Sequence, residues 1–130
     1  MITDHVIFSS PYFKVQPGED EETNPGIYGK ALAEWMATAL RQRGVAVEGV
    51  IAEDFGRCVM VQRKPVMIWI GCANLEDSPG RWQIYIARER GLIARLRRAD
   101  GAAELGALRT HYRAILNEIP GLTDIEWQED

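Results

Sequence analysis

The sequence predicts an α+β domain, a mainly antiparallel sheet with two long helices packed on one of its faces. Three observations carry that expectation. The runs "RCVMVQR", "VMIWIGCA" and "RWQIYIARE" are rich in β-branched and aromatic residues and are separated only by Lys64-Pro65 and the turn-forming "NLEDSPG", the pattern of an antiparallel meander. Two other stretches repeat apolar residues at three- and four-residue spacing, as helices do. No internal repeat, low-complexity tract or linker divides the 130 residues, so residues 1–130 are read as one domain. A chain of this length buries roughly two-thirds of its unfolded surface and needs no metal or disulfide staple.

Taken in order, "HVIFSSPYFKV" suits a strand, with Pro11 breaking the run or holding it to an edge. "QPGEDEETNPG" reads as an exposed acidic loop. A helix is expected to follow, with Asn24 as cap, Pro25 at the first helical position and Gly44 at the far end. Tyr28, Leu32, Trp35, Met36, Ala39 and Leu40 form its apolar face. "VAVEGVIAED" is a further strand halting at Glu53, Asp54 and Gly56. In the Trp69 strand, Val66, Ile68, Ile70 and Cys72 face one side and Met67 and Trp69 the other, so this strand is expected to be central and covered on both faces. The cover of its second face is either the chain's own loops or a second copy, a homodimer. "GLIARLRR" predicts a short helix with Leu92, Ile93 and Leu96 inward and its arginines outward. Asp100 then caps a long helix running to Pro120 with the stripe Leu105, Leu108, Tyr112, Ile115, Leu116 and Ile119, and "LTDIEW" adds a last strand.

Composition narrows the function. The hydrophobic fraction of 46% and charged fraction of 26% are ordinary for a globular protein. A net charge of −4 argues against non-specific nucleic-acid binding, which rests on neutralising phosphates. "MITDHVIFSS" lacks the basic stretch and apolar core of a secretory signal, and "VMIWIGCA" falls far short of the roughly 20 apolar residues that span a bilayer. The expectation is a cytoplasmic protein with no membrane association. In that compartment Cys58 and Cys72, which a hairpin at Lys64-Pro65 would set opposite each other, are expected to be free thiols.

Several chemistries leave no trace. No phosphate-binding glycine loop, dinucleotide fingerprint or serine elbow is present, and two cysteines fourteen residues apart with two distant histidines do not make a zinc site. No cofactor is expected. His111, beside the last helix's apolar stripe, and His5, near the terminus, read as structural. Glu53 and Asp54 end a strand, where a rigid sheet positions functional carboxylates, yet the same pair makes an ordinary polar turn. Glu19, Asp20, Glu21 and Glu22 form an acidic loop without calcium-loop spacing, suited to a basic protein partner that charge would steer into place. Arg88, Arg90, Arg95, Arg97 and Arg98 form the opposite case, with Trp82 and Tyr85 near enough in sequence to stack on bases.

"NPGIYGKALAEWMATALRQRG" followed by "GVAVEGVIAEDFGRCVMV" resembles a group of small bacterial proteins with a Pro-Gly-headed helix and a strand ending Glu-Asp-aromatic-Gly, with Arg57 standing where an aromatic often follows the glycine. The resemblance covers about half of the chain and is loosely similar to immunity proteins and antitoxins, which implies an interaction role. The leading expectation is therefore a non-enzymatic binding domain that engages a basic partner through Glu19, Asp20, Glu21, Glu22, Glu53 and Asp54. Two alternatives stand beside it: a small enzyme or ligand binder with Glu53 or Asp54 in a cleft, and an accessory nucleic-acid binder using the arginine cluster.

Overall fold

Alternation of β-branched and small residues from Gly49 to Glu89 produces four strands in direct succession: Gly49–Glu53, Gly56–Gln62, Met67–Asn74 and Arg81–Glu89. In the computed structural model, which describes residues 1–76 and 78–128, these are β2 to β5 of a six-stranded sheet. The first strand, β1 (Ile2–Ser9), pairs with β5, and the last, β6 (Thr123–Trp127), pairs with β1. The order is β2-β3-β4-β5-β1-β6, with every pair antiparallel. β1 thus lies inside the sheet. Pro11 ends it and does not force it to an edge.

Helices α1 (Lys30–Gln42), α2 (Leu92–Leu96) and α3 (Ala102–Leu116) complete the α+β domain. The apolar stripes of α1 and α3 enclose the core with Val6, Phe8, Ile68, Ile70, Cys72, Ile84 and Ile86 from one sheet face. The cap position of α3 falls on Gly101, one residue later than expected, while Asp100 Oδ1 still accepts from the Ala102 amide at 2.9 Å. The helix stops at Leu116, one turn short of Pro120, though Ile119 remains buried. At the end of α1 the Val45 amide donates to the Leu40 carbonyl and the Gly44 amide to that of Arg41, with Gly44 at φ 81°, the paired bonds of a glycine-terminated helix.

The start of α1 differs from the expectation. Asn24 and Pro25 sit in a turn closed by the Ile27 amide on the Asn24 carbonyl, and the helix begins five residues later. Its free amides are met by a carboxylate from the loop before it.

α2 differs in its facing. Ala94 is 2% exposed, whereas Leu92, Ile93 and Leu96 are 74%, 63% and 74% exposed. At about 100° per residue, Leu92 and Leu96 lie about 160° round from Ala94. A five-residue helix resting on one alanine must therefore present both leucines outward.

The cysteines also depart from the expected arrangement. Cys72 pairs with Arg57, and Cys58 with Gly71, so the thiols point to opposite sheet faces and both are free. On the face without helices, Phe55, Trp69, Tyr85 and His5 form an aromatic row, with successive ring centroids 5.4, 5.9 and 5.4 Å apart. Gly71 leaves room for it, since a Cβ there would overlap the Tyr85 ring. The side chains of this face cover one another; among the described residues no helix lies over them.

Candidate functional site

At the end of the sheet where β4 finishes, residues 16–29 fold across the β2–β3 turn, and both are anchored from below. Gly29 and Gly56, at φ +145° and +147°, sit against the Cys72 carbonyl where any Cβ would collide. Asn74 holds the loop by accepting from the Tyr28 amide at 2.9 Å and donating to the Gly26 carbonyl at 3.0 Å. Asn24 Nδ2 donates to the Asp54 carbonyl at 3.2 Å, joining loop to turn. The two acidic segments singled out from sequence are thereby brought to one end of the molecule.

Their carboxylates have separate employments. Glu19 is 6% exposed. Its Oε2 accepts from the Gly29 and Lys30 amides, each at 3.1 Å, and its Oε1 from the Gln16 amide at 3.2 Å. It is the cap of α1, satisfying amides that the helix leaves open and placing negative charge at the positive end of its dipole. Its oxygens are therefore spent on backbone amides of its own chain. Asp20 is half-buried and accepts from the Gly26 amide at 2.9 Å, with the Tyr28 hydroxyl at 3.5 Å. Glu22 is exposed and meets Arg57 Nη1 at 3.1 Å.

Arg57 is the organising residue that its chain position did not reveal. It is buried on β3, and its Nη2 donates to the Glu19 carbonyl at 2.9 Å. Charge in that position ties the loop to the sheet. The sequence signal was an arginine at an inward-facing strand position between Gly56 and Cys58, which alternation alone marks as a buried cation needing acceptors.

Glu21, Glu53 and Asp54 are exposed, and among the described residues their carboxylates have no hydrogen-bond or ion-pair partner. Glu53 pairs with Gly56 across the hairpin, leaving Asp54 and Phe55 as the turn. Phe55 is 40% exposed and leans on Trp69. The solvent side of this end thus carries the exposed acids Glu21, Glu22, Glu53 and Asp54, with Phe55 beside Asp54 in the turn.

A neighbouring cleft of about 510 Å³ is walled by Phe13, Tyr28, Leu75 and Trp82. Its volume is that of a small-ligand site. Neither Glu53 nor Asp54 lines it, so the carboxylates do not enter a cleft beside the sheet there. Asn74, at its rim, is already engaged by backbone.

Other candidate chemistries are placed as follows. Burial pushes the Cys58 thiol up to about 12, with Glu53 and Glu89 adding to the shift, and burial raises Cys72 further still. Neither sulfur is a thiolate nucleophile near neutral pH. His111 Nδ1 faces Arg43 Nε at 3.0 Å, and His5 bonds Gln83, both away from the acidic end. Among the described residues no group of three potential ligands is arranged for a metal ion. Trp82 is buried with its indole N–H donating to the Ser10 carbonyl, and so is not available to stack on a base beside the arginine cluster. Arg88 and Arg90 donate to the Asp100 and Ala99 carbonyls. Among the described residues no helix is long and apolar enough to cross a membrane. Compared with protein-family models, curated proteins and solved structures, the chain matches none.

Proposed function

We propose that this chain is a non-enzymatic binding domain that engages a basic protein partner through its acidic end, in the manner of an immunity protein or antitoxin. The observation that carries the reading is the gathering of exposed Glu21, Glu22, Glu53 and Asp54 at one end of the molecule, with exposed Phe55 beside Asp54 in the turn, on a loop and turn held to each other by Asn24 and Arg57. A pre-organised surface loses little freedom on binding. Acids at its rim steer a basic partner, and a partly exposed aromatic supplies the apolar anchor typical of interface centres. Glu53 and Asp54 without internal ion-pair partners are free to meet lysine or arginine.

The test is affinity capture by the folded wild-type domain and by a Glu53→Lys/Asp54→Lys variant with unchanged circular dichroism. A stoichiometric basic protein is expected with wild type only, with an association rate that falls as salt is raised. Capture of the same protein by both forms, or an acidic partner, overturns the reading.

A further inference from the structure

The end of the molecule opposite the acidic loop carries the largest exposed aliphatic side chains. Residues 91–98 project as a short loop containing α2. Arg88 and Arg90 close its base by donating to the Asp100 and Ala99 carbonyls at 2.8 and 2.9 Å. Ala94 alone seats it on the core. Its far end is fixed by the Ala99 amide on the Ala94 carbonyl at 2.8 Å and by Arg98 in the left-handed region at φ 57°. An arginine stands where glycine would be relaxed. The projection is thus built, and it holds Leu92, Ile93 and Leu96 away from the body.

Its charge is basic. Among the described residues, Arg95, Arg97 and Arg98 have no side-chain partner. Of the nearby acids, Asp100 is turned to the Ala102 amide, leaving Glu89 and Glu104 exposed at the margin. Met1 and Ile2 are exposed beside the base, Met1 exchanging backbone bonds with Arg88. The acidic loop lies at the other end of the eight-residue β4, roughly 25 Å away and more than two Debye lengths at physiological salt. The net charge of −4 therefore does not cancel this local field.

We propose that this projection docks on the surface of an anionic lipid bilayer, lying on it without spanning it. Charge complementarity selects an anionic occupant and disfavours a two-fold contact with a second copy, because that contact would oppose two sets of unpaired arginines. The apolar side chains at the tip are aliphatic, with no aromatic plane for a nucleic-acid base. A protein groove that accepts a helix reads anchors over about two turns or more, whereas α2 has five residues. A bilayer needs no matching groove. Leucine and isoleucine enter the headgroup–acyl boundary while arginine stems run alongside and their guanidinium groups stay at phosphate level.

Vesicle flotation tests this on the intact chain. One set of vesicles is pure phosphatidylcholine and the other is phosphatidylcholine with one-quarter phosphatidylserine. Wild type is expected to float with the anionic vesicles only. Arg95→Ala/Arg97→Ala, which leaves the aliphatic tip intact, should weaken partitioning by about 25-fold, from about 1 kcal/mol for each arginine. Leu92→Ser/Leu96→Ser, both exposed and so compatible with folding, should abolish flotation. Glu53→Lys/Asp54→Lys should retain it, which separates this surface from the acidic one. No flotation of wild type overturns the proposal, as does equal flotation of the serine variant. Binding to poly-glutamate or oligo-dT without vesicle binding also overturns it, assigning the surface to an acidic protein or a nucleic acid.

Discussion

Glu19 illustrates how one side chain can hold two elements in register. Its two oxygens accept three amides, one from the acidic loop and two from the first turn of α1, and its backbone carbonyl receives Arg57. Removing the carboxylate leaves those donors in a site from which water is largely excluded. Glu19→Ala should therefore cost about 2–3 kcal/mol, a lost cap plus imperfectly solvated amides. Glu19→Gln retains one accepting oxygen but turns an NH₂ toward a donor, and should cost roughly half as much. Glu21→Gln, at an exposed neighbouring position, should stay within about 0.5 kcal/mol of wild type. Urea midpoints at neutral pH order the three variants. If Glu21→Gln is as damaging as Glu19→Ala, the cap is not what stabilises this end.

At the scale of elements, β4 depends on a missing side chain. Gly71 lets the Tyr85 ring lie across the strand between Trp69 and His5. Gly71→Ala should displace that ring and cost about 1–3 kcal/mol by overpacking. Gly49→Ala, where a Cβ meets nothing within 4 Å, should be nearly neutral. Combining Gly71→Ala with Tyr85→Ala should cost less than the sum of the two, since the alanine then has no ring to strike. Denaturant midpoints of wild type, the three single variants and the double variant check this. The strands, α3 and its stripe were legible because each is written locally, in alternation or in three- and four-residue spacing. The start of α1 was not, because its cap comes from Glu19, eleven positions before Lys30, while Asn24 and Pro25 imitate a cap in place. The facing of α2 was misread for a related reason. Leu92, Ile93 and Leu96 have the spacing of a buried stripe, but a helix this short is oriented by its anchored ends. The acid pair at Glu53 and Asp54 was visible as a strand end; its approach to the acidic loop rests on the non-local Asn24 and Arg57 contacts. A hairpin symmetric about Lys64-Pro65 sets Cys58 opposite Gly71 and Arg57 opposite Cys72, so the expected facing of the two thiols is one residue out of register with that turn.

Over the whole molecule, the sheet divides two regions of different construction. Helices cover one face, where Cys72 and Tyr112 are buried; side chains alone cover the other, where Cys58 and Tyr85 lie beneath and within the aromatic row. Burial raises the pKa of all four groups, Cys58 and Tyr85 each to about 12, from ordinary values of 9.0 and 10.0. The sign of the consequence follows from proton counting. Above about pH 9 the unfolded chain releases thiol protons, and then phenol protons, that the folded protein still holds. The folded state binds more protons, so its stability falls as pH rises through that window and is fully present below it. Thermal unfolding followed from about pH 8 to about pH 11 should show a progressive fall in Tm. Cys58→Ala/Tyr85→Phe removes both titrations on the open face and should make the decline shallower, leaving the part due to Cys72 and Tyr112. An unchanged slope in that variant would mean that water reaches the aromatic face in the folded state. The helix-covered face would then be the sole dry region of the protein.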